Sequence, residues 1–386
     1  MILLLGAVGS KNPTPLICSS EIKFRHPSFV HQKLNSDTPH LFIRIDLPLD
    51  DMVFLFYFAN TMATFARKDI VKQEEISTYH LYNRCVRKAF LCGIDKDTGI
   101  DYEHRRSWIF DRVKFVSDIF LIETGSISVM NNHFHLTARI RPDLAKALSD
   151  DDIIERWWKL YPRKIKGKYE ATPPPELIEK WKNDTEWLEE TRKRLYSVSW
   201  FMKVIEEPIA LRANKEDAVK GRFWEGRFQS QLLLDEQAVL TASIYVDLNP
   251  IKAGMVNDLK DSDFTSIQQR IINENGPKEK KIEHPGSFLA PFKSCINSLQ
   301  EEAPFLLIEE KDYIDLCYWY ADQHKGKDTL KSSKNFNNWI HNLADIDQVM
   351  KSCSYAVGTY QKMKERAQET GKKWLKGSGI LKSMPT

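Results

Sequence analysis

From His133 to Ile140 the chain alternates without a miss. His133, His135, Thr137 and Arg139 fall on one side of an extended backbone, and Phe134, Leu136, Ala138 and Ile140 on the other. A period of two with one apolar side predicts a half-buried strand. The apolar row faces a core, and two imidazoles stand together on the opposite, accessible face. Residues 78–84 alternate as well, with Tyr79, Leu81 and Asn83 against His80, Tyr82 and Arg84, and predict a first strand. Ile109, Val113, Val116 and Phe120 recur at helical spacing, which predicts a helix over 104–123 that Gly125 stops. A strand over 126–130 follows, and Asn131-Asn132 turns it into the His-bearing strand. Another strand is expected within 227–234. Strand, helix, strand, strand opens an α+β fold: a ferredoxin-like antiparallel sheet with helices packed on one face.

Beyond Ile140 the pattern turns helical. The stretch from about 150 to 215 reads as a helical insertion whose Trp157, Trp158, Trp181, Trp187 and Trp200 belong to a core. Asp235 is placed to cap a helix over 236–248, which Asn249-Pro250 should end, because the residue before proline is pushed out of helical dihedrals. Tyr245 and Asn249, four apart, are then neighbours on one helical face. Residues 273–287 collect Gly, Pro and Lys and read as a linker between a main domain at 62–272 and a mainly helical accessory region at 288–386. Residues 1–61 show no clear period and read as a non-native or disordered extension, with the natural start expected at Met62.

Composition narrows the class. The chain has 386 residues, 42 % hydrophobic and 28 % charged, which describes a soluble globular protein. No run reaches membrane-spanning length, so no membrane partner is expected. A net charge of only +3 means that any basic surface must be local. The 6 cysteines are scattered with no Cys-x-x-Cys pair, which argues against a zinc finger or a disulfide framework and fits a cytoplasmic location.

Two histidines at i and i+2 on a strand can share one metal ion. Four motifs then occur in order: Tyr79-His80; Met130-Asn131-Asn132-His133-Phe134-His135-Leu136; Trp224-Glu225-Gly226-Arg227-Phe228; and the stretch 245–256, which opens on Tyr245 and holds Asn249-Pro250. The set resembles the single-tyrosine HUH transposases, most closely the branch associated with repetitive extragenic palindromes, over residues 70–272. The resemblance implies a domain that nicks and rejoins single-stranded DNA, with hairpin or palindromic ends as partners, and leaves room for a homodimer. Three departures stand out. Asn131 replaces the usual proline, Asp247 stands where the family carries His or Glu, and the stretch at 150–215 is longer than usual.

The residues suit that chemistry. A tyrosine hydroxyl attacking a phosphodiester conserves its energy as a 5′-phosphotyrosine, so Tyr245 is the candidate nucleophile. His133, His135 and the amide oxygen of Asn249 are the candidate ligands of a divalent cation that offsets developing charge. Two neutral imidazoles, an amide and open positions suit Mg²⁺ or Mn²⁺, and His also accepts Zn²⁺. Arg84, Arg87, Lys88, Arg139, Arg222, Arg227 and Lys252 are candidates for phosphate contacts. The competing expectations are a domesticated hairpin-binding protein that no longer cuts, and an unrelated metal hydrolase.

Overall fold

The computed structural model describes residues 2–6, 40–44, 70–86, 91–95, 98–165, 167–275, 288–293, 304–326 and 346–382. The chain divides into two compact units, Met1–Thr64 and Phe65–Thr386. In the first, β1 (Ile2–Gly6) and β2 (His40–Arg44) pair antiparallel, with Leu4 opposite Phe42. The sequence pattern had assigned no element to either. Met62 lies outside the described residues.

The second unit begins with β3 (Ser77–Arg84), α1 (His104–Ser117), β4 (Ile122–Val129) and β5 (His133–Ile140). Next come α2 (Pro142–Ala147), α3 (Asp150–Leu160), the short pair β6 (Lys164–Ile165) and β7 (Lys168–Tyr169), and then α4 (Pro175–Lys182), α5 (Thr185–Arg194) and α6 (Val198–Glu216). β8 (Gln229–Leu233), α7 (Glu236–Lys252) and α8 (Ser266–Asn275) follow. The C-terminal part supplies α9 (Glu310–His324), α10 (Ile346–Ser352), β9 (Ala356–Val357), α11 (Tyr360–Glu369) and α12 (Ser378–Lys382).

Five of these strands form one sheet in the order β4-β5-β3-β8-β9, and β6 and β7 pair with each other apart from it. The first four run antiparallel to their neighbours, with Tyr82 opposite both His135 and Gln229. This is the α+β, ferredoxin-like sheet that the alternation predicted. Phe134, Leu136, Ala138 and Ile140 are fully buried, as are Ile109, Val113 and Val116 on α1. α6 covers that face: Asn83 donates to Glu206 at 2.9 Å, and α1 packs beside α6, where Arg105 meets Glu216 at 2.6 Å. The tryptophans of the insertion are buried or packed on the core.

Four expectations need correction. First, α1 ends at Ser117 and β4 already begins at Ile122, so the helix does not reach 123. Phe120 continues the helical spacing, yet Ile119-Phe120-Leu121-Ile122 is an unbroken apolar run of the kind that enters a buried strand. Second, α7 does not stop at Asn249. It runs through Pro250 to Lys252, because Leu248, Pro250 and Ile251 are all buried and packing overrides the local penalty of a proline in the last turn.

Third, helices cover both faces of the sheet. α7 lies on the face opposite α6, against β4 and β5, so His135 and Thr137 in the histidine row are buried and only its ends, His133 and Arg139, reach water. Fourth, Gly125 does not stop α1 but lies inside β4, where the ring of Phe305 occupies the space of its missing side chain; a Cβ there would sit 2.0 Å from Phe305 Cε1.

Most of the expected linker, 276–287, lies outside the described residues. The segment beyond it packs into the same unit. β9 pairs parallel with β8, and Leu289 bridges Thr124 at the other edge. Among the described residues no helix is long and apolar enough to cross a membrane.

Candidate active site

β5 and α7 bring the principal sequence candidates together. Asp235 caps α7 as expected, accepting from Ala238 N at 2.9 Å, while its other oxygen accepts from Thr359 N at 2.7 Å. The helix so anchored carries Tyr245 over the histidine row. The Tyr245 ring stands nearly perpendicular to His135, with centroids 5.6 Å apart and planes at 87°, and to His80 at 5.7 Å and 81°. His133 stands edge-on to His135 at 4.8 Å. Asn249 follows Tyr245 by one helical turn. Lys252 places its ammonium 5.2 Å from the centre of the Tyr245 ring and forms an ion pair with Asp347.

His80 is the residue that the sequence reading undervalued. It is 2 % exposed, stacks on His135 with centroids 5.0 Å apart, and shares a 2.9 Å hydrogen bond between its Nε2 and His135 Nδ1. Its other nitrogen lies 2.6 Å from Gln231 Oε1 on β8. Gln231 Nε2 in turn donates to the carbonyl of Met350, at 3.0 Å, and to that of Cys353. His133 Nδ1 lies 2.5 Å from Asn132 Oδ1. The signal for His80 was present, since it shares its row of β3 with Tyr82. Gln231 gave none, because a single amide in a strand has no period to reveal it.

Burial keeps the three imidazoles neutral. It lowers His80 and His133 to about 4 and His135 well below its ordinary 6.5; the Arg84 guanidinium adds to the effect at His133, and His133 itself at His135. A neutral imidazole is the form that offers a lone pair to a cation. Asn249 adds a buried side-chain Nδ2 that has no hydrogen-bond partner, and Thr137 a buried hydroxyl in the same condition. The O and N ends of an amide are assigned from their bonding, so an unpartnered Nδ2 at this position equally accommodates the oxygen. These observations fit two imidazole nitrogens and one amide oxygen around a small divalent ion. No group of three or more His, Cys, Asp or Glu among the described residues is arranged for a metal, so the candidate set depends on that amide.

The basic candidates do not all converge. Arg84 stands opposite His133 in the sheet and lies 3.8 Å from Glu225. Arg222 and Arg227 are exposed; Arg227 lines a cleft of 280 Å³ with Lys203, Glu206 and Trp224. Arg139 departs from expectation. It shares the histidine row but sits six residues along it, roughly 20 Å at the rise of a strand. There it pairs with Glu123, donates to Pro304 O at 2.8 Å, and lines a separate cavity of 470 Å³. Arg87 and Lys88 lie outside the described residues.

Two departures from the family pattern gain a physical account. Asn131 Oδ1 accepts from Arg106 at 3.0 Å, and Arg106 also donates to the Val129 carbonyl, so the turn before His133 is tied to α1 by a side chain that proline lacks. Asp247 points away from the histidines. It is fully buried, accepts from Ile267 N at 3.1 Å and from the Ser266 and Tyr313 hydroxyls, and anchors α7 to α8 and α9.

No family model matches the chain, and no curated protein matches it. Among solved structures, the chain is similar to a REP-associated tyrosine transposase bound to a REP hairpin, at 12 % identity and a TM-score of 0.33, over 56 % of this chain and 89 % of that one. A likeness at that distance transfers no role to any residue of this chain.

Proposed function

We propose that the chain is a metal-dependent single-strand DNA endonuclease and strand transferase of the transposase type, with Tyr245 as its nucleophile. The observation that carries this reading is the seating of Tyr245 edge-on against His135, 5.6 Å away, on the helix that also carries Asn249. A core tyrosine needs no such neighbours. A nucleophile acting on a phosphodiester needs them at hand.

In this reading the Tyr245 oxygen bonds to phosphorus as the bond from phosphorus to the 3′ oxygen breaks. The tyrosine proton is lost, the departing strand leaves with a 3′ hydroxyl, and a 5′-phosphotyrosine remains. Attack by another 3′ hydroxyl reverses the step and rejoins DNA without ATP. His133, His135 and the Asn249 oxygen would hold Mg²⁺ or Mn²⁺, which when bound offsets charge on the phosphate. Lys252 supplies positive charge beside the ring, and Arg84 beside His133, where a phosphate would approach. Single-stranded DNA with hairpin or palindromic ends is the proposed partner.

The test is a denaturing gel of protein incubated with labelled single-stranded hairpins and Mg²⁺. The wild-type chain should form a covalent adduct and a nicked product, and Tyr245→Phe should bind the same DNA and form neither. No adduct from the wild-type chain would favour a hairpin-binding protein that does not cut. An adduct that survives Tyr245→Phe would move the nucleophile to another tyrosine.

A further inference from the structure

Hydrogen bonding assigns more than position to the histidine row. Gln231 Nε2 must be the donor toward the carbonyls of Met350 and Cys353, because carbonyl oxygens only accept. Its Oε1 therefore accepts, and the 2.6 Å contact makes His80 Nδ1 the protonated nitrogen of that ring. In a neutral imidazole the other nitrogen is then an acceptor. The 2.9 Å bond between His80 Nε2 and His135 Nδ1 must accordingly be donated by His135. His135 is left with its lone pair on Nε2. At the 2.5 Å contact between His133 Nδ1 and Asn132 Oδ1 the amide oxygen accepts, which places the lone pair of His133 on Nε2 as well.

We propose that Gln231 and His80 are positioning residues: together they hold His135 in the tautomer protonated at Nδ1, so that its Nε2 can take a divalent cation. The orienting groups at the start of the relay belong to the C-terminal part of the chain, at Met350 and Cys353. That region thereby acts on the site through Gln231 as well as through the Asp347–Lys252 ion pair. The relay rests on the proposed metal role only for its purpose, since the tautomer itself is a property of the metal-free protein. Partners one bond removed from a metal ligand change affinity by roughly 10- to 100-fold when lost.

The experiment is long-range ¹⁵N–¹H correlation NMR on full-length, metal-free protein labelled at histidine, paired with Mn²⁺ titration by calorimetry. The wild-type spectrum should show both His80 and His135 protonated at Nδ1. In Gln231→Met, which keeps length but cannot accept, the His80–His135 bond is free to reverse, and His135 should shift toward the form protonated at Nε2. Mn²⁺ affinity should fall at least about 10-fold in step.

A wild-type His135 protonated at Nε2, or a His135 tautomer that Gln231→Met leaves unchanged, overturns the proposal. The wild-type spectrum decides even if the variant does not fold. If the tautomers behave as expected while neither protein binds Mn²⁺, the relay stands and the metal role falls.

Discussion

Tyr313 donates its phenolic proton to Asp247 across 2.6 Å, joining α9 to the side of α7 that faces away from the histidines. Both groups are fully buried, and among the described residues the carboxylate also accepts from Ser266 and Ile267. Tyr313→Phe should destabilise the protein by about 1–3 kcal/mol, the cost of leaving a buried acceptor one partner short. Urea denaturation would show the loss, and an unchanged midpoint would mean that the contact carries no weight.

His133→Ala and His135→Ala should both abolish adduct formation but differ in stability. His135 is 5 % exposed and hydrogen-bonded to His80, so its removal strands a buried nitrogen and costs about 1–3 kcal/mol. His133 is half-buried, and its loss should cost under about 1 kcal/mol. Thermal melts of the two variants make the comparison, and the reverse order would refute it.

Gly125→Ala would press a methyl group into the ring of Phe305. Overpacking of this kind costs about 1–3 kcal/mol. In a Phe305→Ala background the same substitution should cost far less, and a double-mutant cycle measures the difference. Additive effects would contradict the contact.

Arg270 and Glu310 form a buried ion pair at 2.6 Å, and the guanidinium also donates to the carbonyls of Gly125 and Ala290. Arg270→Met should cost about 3–5 kcal/mol by leaving a buried carboxylate uncompensated. Adding Glu310→Leu should recover part of that loss, since the stranded charge is then gone. Chemical denaturation of the single and double variants would reveal it.

The sheet was legible wherever alternation was strict. β5 was bounded to the residue from its two rows, and β3 to within one residue. β4 was half missed: Ile122, Thr124 and Gly125 are all buried and show no alternation, and the helical spacing that reaches Phe120 carried the expected helix to 123. Tyr245 and the two histidines were legible as types at fixed spacing. The relay that joins His80 to Gln231 was not, because it arises only when β3 and β8 lie side by side and Gln231 reaches carbonyls 119 residues away. The covered histidine face was likewise invisible, since no local pattern says which face α7 will choose.

The pairing of β9 with β8 bears on how the protein is made. β8 would be a sheet edge until Ala356 and Val357 arrive beside Leu232 and Leu233, and the far edge at Thr124 waits for Leu289. An unpaired edge is a template for pairing with a stranger. Contacts so distant in sequence form slowly, because loop closure must precede any gain from them. A chain still on the ribosome would thus carry β8 bare through the synthesis of more than a hundred further residues. Completion of the sheet, and of the Gln231 relay that borders it, therefore waits for residues 350–357 to be made.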